Sequence, residues 1–406
     1  MQGHLRVPND FLWGAGTSAH QVEGDNRLND WWAWEHVPLV PEPSGMACDH
    51  YNQYETDLDI AKRLGHNAYR FSIEWSRVER SPGHFSEEEL THYEKVIQAC
   101  RARKIVPVVT LHHFTNPMWF AAEGGWASSR SPEHFARYAK RVVERFQYRI
   151  PWWITINEPT VLVYYGYLCG TWPPGKRSIP MAIRALKNLV QAHRLAYTAI
   201  HAHAKSSDWL FNPYVGIAHH IRCYDPCRWR SKADRWAAKI RHRLANEWVL
   251  NACRGTMDFI GLNYYTRDFI RFPGRVCPPW HHDGQRPRSG MDWEIYPEGL
   301  RRVLADLKQY GLPVLIAENG VCADDDEVRW DFIRTHVGEM AKAMVGGANV
   351  AGYLYWSLMD NFEWAHGFRP RFGLVEVDYN TMERKIRPSG EKLMNLIYSK
   401  QIFFDQ

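Results

Sequence analysis

Two short segments place a carboxylate where acid–base chemistry could use it: Thr155-Ile156-Asn157-Glu158-Pro159 and Ile316-Ala317-Glu318-Asn319-Gly320. Each Glu closes an apolar run and has an Asn amide beside it. Two opposed carboxylates are what glycoside hydrolysis requires. One donates a proton to the leaving oxygen, while the other stabilises or attacks the electron-poor anomeric carbon. A single Glu at a strand end could equally cap the helix that follows it, so the argument rests on the pair. The aromatic content points the same way. Trp (19) outnumbers Phe (17); many of these rings must be core, but indole also suits stacking on the C–H face of a pyranose.

Positioning two such acids requires strands that end together. Eight short apolar runs recur: Phe11–Thr17, Ala68–Trp75, Val106–His113, Trp152–Glu158, Tyr214–His220, Asp258–Tyr265, Pro313–Glu318 and Val350–Leu358. Between them lie amphipathic stretches with helical periodicity, among them Tyr54–Leu64, Ser86–Arg103, Ser131–Tyr148, Ile179–Ala204 and Glu298–Tyr310. Strands apolar along their length are buried on both faces, as in a parallel sheet covered by helices. Eight units predict a single α/β domain over residues 1–406, a (β/α)8 TIM barrel, with chemistry at the C-terminal ends of its strands. Those ends carry Gln21 and Glu23, Glu74, His112 and His113, Asn157 and Glu158, Asn263 and Tyr265, Glu318, and Trp356.

At this point the chain resembles family 1 of the glycoside hydrolases, the β-glucosidase type. The likeness runs in order from Phe11-Leu12-Trp13-Gly14-Ala15-Gly16-Thr17-Ser18-Ala19-His20-Gln21-Val22-Glu23-Gly24 through Tyr69-Arg70-Phe71-Ser72-Ile73-Glu74-Trp75-Ser76-Arg77 and Thr110-Leu111-His112-His113-Phe114. It ends with Tyr355-Trp356-Ser357-Leu358-Met359-Asp360-Asn361-Phe362-Glu363-Trp364 and Arg371-Phe372-Gly373-Leu374. The resemblance implies that Glu158 is the acid/base and Glu318 the nucleophile of a retaining β-glycosidase. It implies that Arg70 keeps the nucleophile ionised, leaving the proton on Glu158, and that Tyr265 is the hydrogen-bond partner of Glu318. Asn157 matches the residue holding the sugar 2-hydroxyl, and Gln21, His113, Glu363 and Trp364 match those binding the other hydroxyls. Asn263 joins them as a strand-end binding residue. Trp356 matches the floor under the pyranose and Phe372 a wall near its 6-position. Glu363, read as a carboxylate, also argues against 6-phosphorylated sugars through like-charge repulsion. The chain departs from the family pattern at Ala317, at Phe114-Thr115-Asn116 and over Ala365–Pro370.

The remaining signals bound the answer. Hydrophobic residues make up 45% and charged residues 23%, which excludes a disordered chain, and no apolar run reaches the roughly 18 residues of a bilayer span. With nothing at Met1–Arg6 resembling a leader and eight scattered cysteines, the expectation is a cytoplasmic protein whose cysteines are thiols. The net charge of +5 is interspersed, and the basic stretch Arg222–Arg243 reads as a solvated helix face rather than a nucleic-acid site. Gly14-x-Gly16-x-x-Ala19 lacks the βαβ context of a dinucleotide loop, so no cofactor is expected. The pairs His112/His113, His201/His203 and His219/His220 are poorly spaced for chelation, and Asp324–Glu327 lacks the pattern of a calcium loop, so no metal is expected. Apart from His113, those histidines read as core or surface residues, and the acidic run as a solvated loop. The expected partner is a small β-glycoside, with neither nucleic acid nor membrane. A carbohydrate-binding pseudoenzyme is the reading from another class, and retention of both acids argues against it.

Overall fold

The computed structural model describes residues 2–37, 40–207, 209, 211–278 and 286–405. Eight strands form a closed parallel barrel: β1 (Leu12–Gly16), β2 (Ala68–Ser72), β3 (Val106–His112), β4 (Trp152–Asn157), β5 (Tyr214–His220), β6 (Phe259–Asn263), β7 (Val314–Asn319) and β8 (Val350–Trp356). They pair in sequence order, and β8 closes on β1 with Leu354 opposite Gly14 and Trp356 opposite Gly16. Seven of the expected runs contain one of these strands, and β7 runs one residue past the end of the eighth, Pro313–Glu318. The main helices that follow them are α1 (His50–Arg63), α2 (Glu87–Ala102), α3 (Ser131–Phe146), α4 (Ile179–Ser206), α5 (Lys232–His242), α6 (Pro297–Leu307), α7 (Asp326–Val345) and α8 (Pro388–Ser399).

The strands are apolar on both faces because both are covered. Leu12, Ala68, Val108, Ile154, Ala218, Phe259, Leu315 and Leu354 fill the barrel interior. A second, larger cluster lies between the strands and the helices and includes Tyr69, Val109, Trp153, Ile217 and Ile316. Close strand packing explains the glycines of the apparent dinucleotide motif. A Cβ at Gly14 would stand 1.9 Å from the Ala68 carbonyl oxygen, so that glycine belongs to the β1–β2 contact. Helix ends follow local chemistry as well: Ser86 accepts the Glu89 N–H and three acids fill the first turn of α2.

Three expectations change. Cys227 and Cys277 form a disulfide, so not all eight cysteines are thiols. They lie 50 residues apart and meet because Cys223–Pro226 pairs with Arg267–Arg271, which in turn pairs with Arg275–Val276, a contact that cysteine spacing does not reveal. The acidic run Asp324–Glu327 is largely solvated, as expected, but it starts a helix instead of staying a loop: Asp325 accepts the Glu327 N–H, and Asp326 holds Ser389 and Arg329. The basic stretch is not uniformly a solvated face either, since Arg222 is mostly buried and paired with Asp268. Among the described residues no helix is long and apolar enough to cross a membrane.

Candidate active site

A cavity of about 440 Å³ opens at the C-terminal ends of the strands. A larger one, about 540 Å³, lies between α6, α7, α8 and the C-terminal strand Gln401–Asp405, but among the described residues no opposed pair of buried acids lines it. Glu158 follows β4 directly, with φ at +45°, in the left-handed region. Phe114 and Trp364, at +72° and +50°, share that conformation at the same mouth. Such non-glycine residues cost of order 1–3 kcal/mol each and persist where the surroundings fix a side chain for a task. The ladder is also irregular there. Register shifts fall at Ile154/Asn157, Leu262/Asn263 and Ile316/Asn319, re-aiming the residues that reach the centre.

The two acids are joined by a continuous network. Arg70, fully buried in β2, donates from Nη1 to Glu318 Oε1 at 2.5 Å and from Nη2 to Asn157 Oδ1 at 2.7 Å. The Tyr265 hydroxyl donates to Glu318 Oε2 at 2.7 Å. Asn263 Nδ2 donates to Glu158 Oε1 at 2.7 Å and to Asn157 Oδ1 at 3.1 Å. Asn157 in turn donates to His113 Nε2 at 3.3 Å. All four expected catalytic residues therefore meet, linked through Asn157 and Asn263.

Eight of the twelve expected site residues line the cavity: His113, Glu158, Tyr265, Glu318, Trp356, Glu363, Trp364 and Phe372. Arg70, Asn157 and Asn263 are fully buried and enter the site through the network that holds the acids. Gln21 is fully buried too. Its Nε2 is committed to Asn361, Phe362 and Glu363, and its Oε1 accepts from Ser18, so it braces the Glu363 loop. Trp356 packs with Tyr265 and Phe372, and its ring stacks near His113 with centroids 5.8 Å apart.

Sequence reasoning passed over His220 and Arg222. Arg222 donates its Nε–H to His220 Nε2 at 2.8 Å, which requires the lone pair on that nitrogen. The ring proton is thereby assigned to Nδ1, which faces Glu158 Oε1 at 3.2 Å. Two N–H donors thus converge on Oε1. His220 closes β5, and the strand-end rule that selected the other site residues would have found it. Tyr165, Trp172 and Trp293, also missed, complete the wall.

Charge in the cavity follows first from burial. Burial and the Glu158 charge push the Glu318 carboxyl up to about 7, against the pull of Arg70 and Tyr265. Burial also works to raise Glu158, but His220, the Asn263 N–H and Arg70 outweigh it and hold that carboxyl below its usual value. These two directions favour the last proton of the pair on Glu318, opposite to the sequence expectation. Much of the pull on Glu158 is that of a cationic His220. Arg222 occupies the Nε2 lone pair, so the contact the geometry gives to Glu158 Oε1 is the Nδ1–H bond. Burial, followed by the charges of Glu318 and Glu158, pushes Glu363 up to about 8. That direction favours the neutral acid near pH 7, where the sequence reading took a carboxylate.

A closed (β/α)8 barrel with two buried acids joined at its C-terminal mouth has the architecture of a two-carboxylate glycosidase. Residues 4–255 and 250–402 match the family model "Glycosyl hydrolase family 1", and the chain belongs to that family as a glycoside hydrolase. It is similar to beta-glucosidase A of Thermotoga maritima, 33% identical over 442 residues that cover 97% of this chain and 98% of the relative. It is also similar to a beta-galactosidase of Pyrococcus woesei, 31% identical over 479 residues, covering 93% and 94%. Among solved structures, a beta-glycosidase from Pyrococcus horikoshii superposes with a TM-score of 0.92 at 38% identity, covering 98% of this chain and 96% of that one.

Proposed function

We propose that the chain acts as one catalytic domain, a retaining β-glycosidase that hydrolyses small β-glucosides and, with them, galactosides or fucosides. The observation that carries the reading is the unequal dress of the two acids. Glu318 accepts from a guanidinium and a phenol, which suits a carboxylate that must attack and later leave. Glu158 takes both of its bonds on Oε1, so Oε2 is left to exchange a proton with the glycosidic oxygen.

In the first step Glu318 forms a bond to the anomeric carbon, the glycosidic C–O bond breaks, and Glu158 gives its proton to the departing oxygen. In the second step Glu158 takes a proton from water, the water oxygen bonds to the anomeric carbon, and Glu318 leaves as a carboxylate. Burial makes each charge strongly felt, and Arg70 balances Glu318 whenever it is free. Trp356 supplies the apolar face under the ring, and His113 and Glu363 supply polar contacts to its hydroxyls.

The test is a panel of aryl β-glycosides differing only in the sugar, with the first product followed by NMR. Hydrolysis with the β-anomer appearing first is expected. An α-anomer first would indicate inversion, and no turnover on any member would return the chain to sugar binding without catalysis.

A further inference from the structure

His20 stands beside Gln21 on the short helix Ala19–Val22, buried and bonded to neither catalytic acid. Two hydrogen bonds fix its ring. The Asn29 amide is oriented because its Oδ1 accepts the Trp32 N–H at 2.7 Å, so Nδ2 is the atom that donates to His20 Nδ1 at 3.0 Å. The ring proton therefore sits on Nε2, which donates to Glu35 Oε2 at 3.1 Å. Glu35 is buried as well, and the Ser44 hydroxyl donates to its Oε1 at 2.6 Å.

The ring so held runs parallel to the Trp364 indole, with planes 13° apart and centroids at 5.8 Å. Trp364 needs support from outside its own backbone, since its φ of +50° is a conformation that costs energy to hold. Trp31, Phe114 and Trp172 also pack on the indole, but at 51°, 74° and 37°. Among the described residues the rings parallel to it are those of His20 and His113, and His113 is in turn within 15° of Trp356. A run of near-parallel rings thus leads from the Glu35 carboxylate to the floor of the pocket. Trp364 lines the cavity, and its indole N–H finds no acceptor among the described residues, which leaves it for a sugar hydroxyl.

Resting on the glycosidase reading above, we propose that His20 is a positioning residue: locked by Asn29 and Glu35, it fixes the Trp364 indole and so sets how the site recognises pyranose hydroxyls other than the 2-hydroxyl, which falls to Asn157. Histidine suits the task because it joins a flat face to two polar edges that stop the ring from turning. A Phe at this position would keep the face but strip a buried carboxylate oxygen of its donor.

The experiment measures kcat/KM for p-nitrophenyl β-glucoside and its 2-, 3-, 4- and 6-deoxy analogues in wild type, His20→Leu, Glu35→Leu and Glu35→Gln, with thermal unfolding confirming that each folds. His20→Leu should lose about 10- to 100-fold on the parent glucoside, the scale of a misplacement of about 1 Å. Removal of the 2-hydroxyl should cost this variant as much as it costs the wild type. Removal of the hydroxyl that Trp364 holds, one of the other three, should cost it less, a difference that lost stability alone does not produce. Glu35→Leu should show the same pattern more weakly, and Glu35→Gln, which still accepts from Nε2, should recover most of that loss. If His20→Leu does not fold, His20→Gln keeps a donor and an acceptor without the ring and carries the same test. Equal penalties for every deoxy sugar in wild type and variants, or a Glu35→Gln no better than Glu35→Leu, would overturn the proposal. Failure of the glycosidase reading is separable: the wild type would leave p-nitrophenyl β-glucoside uncleaved, while calorimetry with deoxynojirimycin, an uncleavable glucose analogue, still reports whether His20→Leu weakens sugar binding.

Discussion

Tyr265→Phe removes one hydroxyl and leaves the ring, so it isolates the bond to Glu318 Oε2 at 2.7 Å. Burial first, then the Glu318 and Glu158 charges, hold the Tyr265 phenol far above its ordinary pKa, so it is a donor at every assay pH. A hydrogen bond to a charged group is worth roughly 1.5–3 kcal/mol. At 1.36 kcal/mol per pKa unit, losing it raises the proton affinity of Glu318 by about 1–2 units. The two carboxyls titrate as a pair, and its last proton leaves near the value of about 7 set at Glu318. The singly protonated pair is the working form. The bond favours the charged state, so its loss shifts both protonation steps upward. The upper limb of the kcat/KM profile for p-nitrophenyl β-glucoside should therefore move from about 7 in the wild type by about 1–2 units in the variant. The lower limb should move in the same direction. A limb that stays in place, or moves to lower pH, in a folded variant would refute the electrostatic role given to Tyr265.

Three further outcomes follow from the same site. His220→Phe removes the N–H facing Glu158 Oε1 at 3.2 Å, and should raise the upper limb by less than Tyr265→Phe does, because that bond is longer and its donor a weaker acid; a larger shift than that of Tyr265→Phe would mean a cationic ring. Glu158→Ala should slow substrates with poor leaving groups by about 10²–10⁴-fold, while dinitrophenyl β-glucoside, which needs no proton, loses little in its glycosylation step; equal losses would reassign the acid. p-Nitrophenyl β-glucoside should be cleaved faster than its 6-phosphate because, among the described residues, no unpaired cation accompanies Glu363 in the cavity lining, with the ratio widening above about pH 8 as Glu363 ionises; a kcat/KM ratio favouring the phosphate would overturn the role of Glu363.

The barrel was legible because its strands are buried on both faces and therefore read as unbroken apolar runs. The acids were legible because each ends such a run. What escaped depends on contacts between distant segments. His220 stands next to His219 and looked like half of a poor chelate; its function comes from Arg222 on one side and Glu158 on the other. Arg222 was hidden in a basic stretch, and the Asp268 pairing, 46 residues away, helps hold it at the cavity. Cys227 meets Cys277 across a small sheet whose pairing no spacing rule shows. Gln21 was identified by type and position, but its four hydrogen bonds, three of them to Asn361–Glu363, turn it into a brace. The proton balance also escaped, since burial raises both Glu318 and Glu363 and a sequence carries no measure of burial.

The central claim, that Glu318 becomes covalently bonded to the sugar while Glu158 serves as acid and base, is tested most directly by trapping the intermediate. A 2-deoxy-2-fluoro β-glucoside with a dinitrophenyl leaving group slows both steps but leaves the first one feasible. Incubation, proteolysis and mass spectrometry should find one sugar per chain, on the peptide containing Glu318, with release of one equivalent of dinitrophenol. A label on Glu158, or dinitrophenol released over many turnovers with no labelled peptide and an α-configured product, would contradict it.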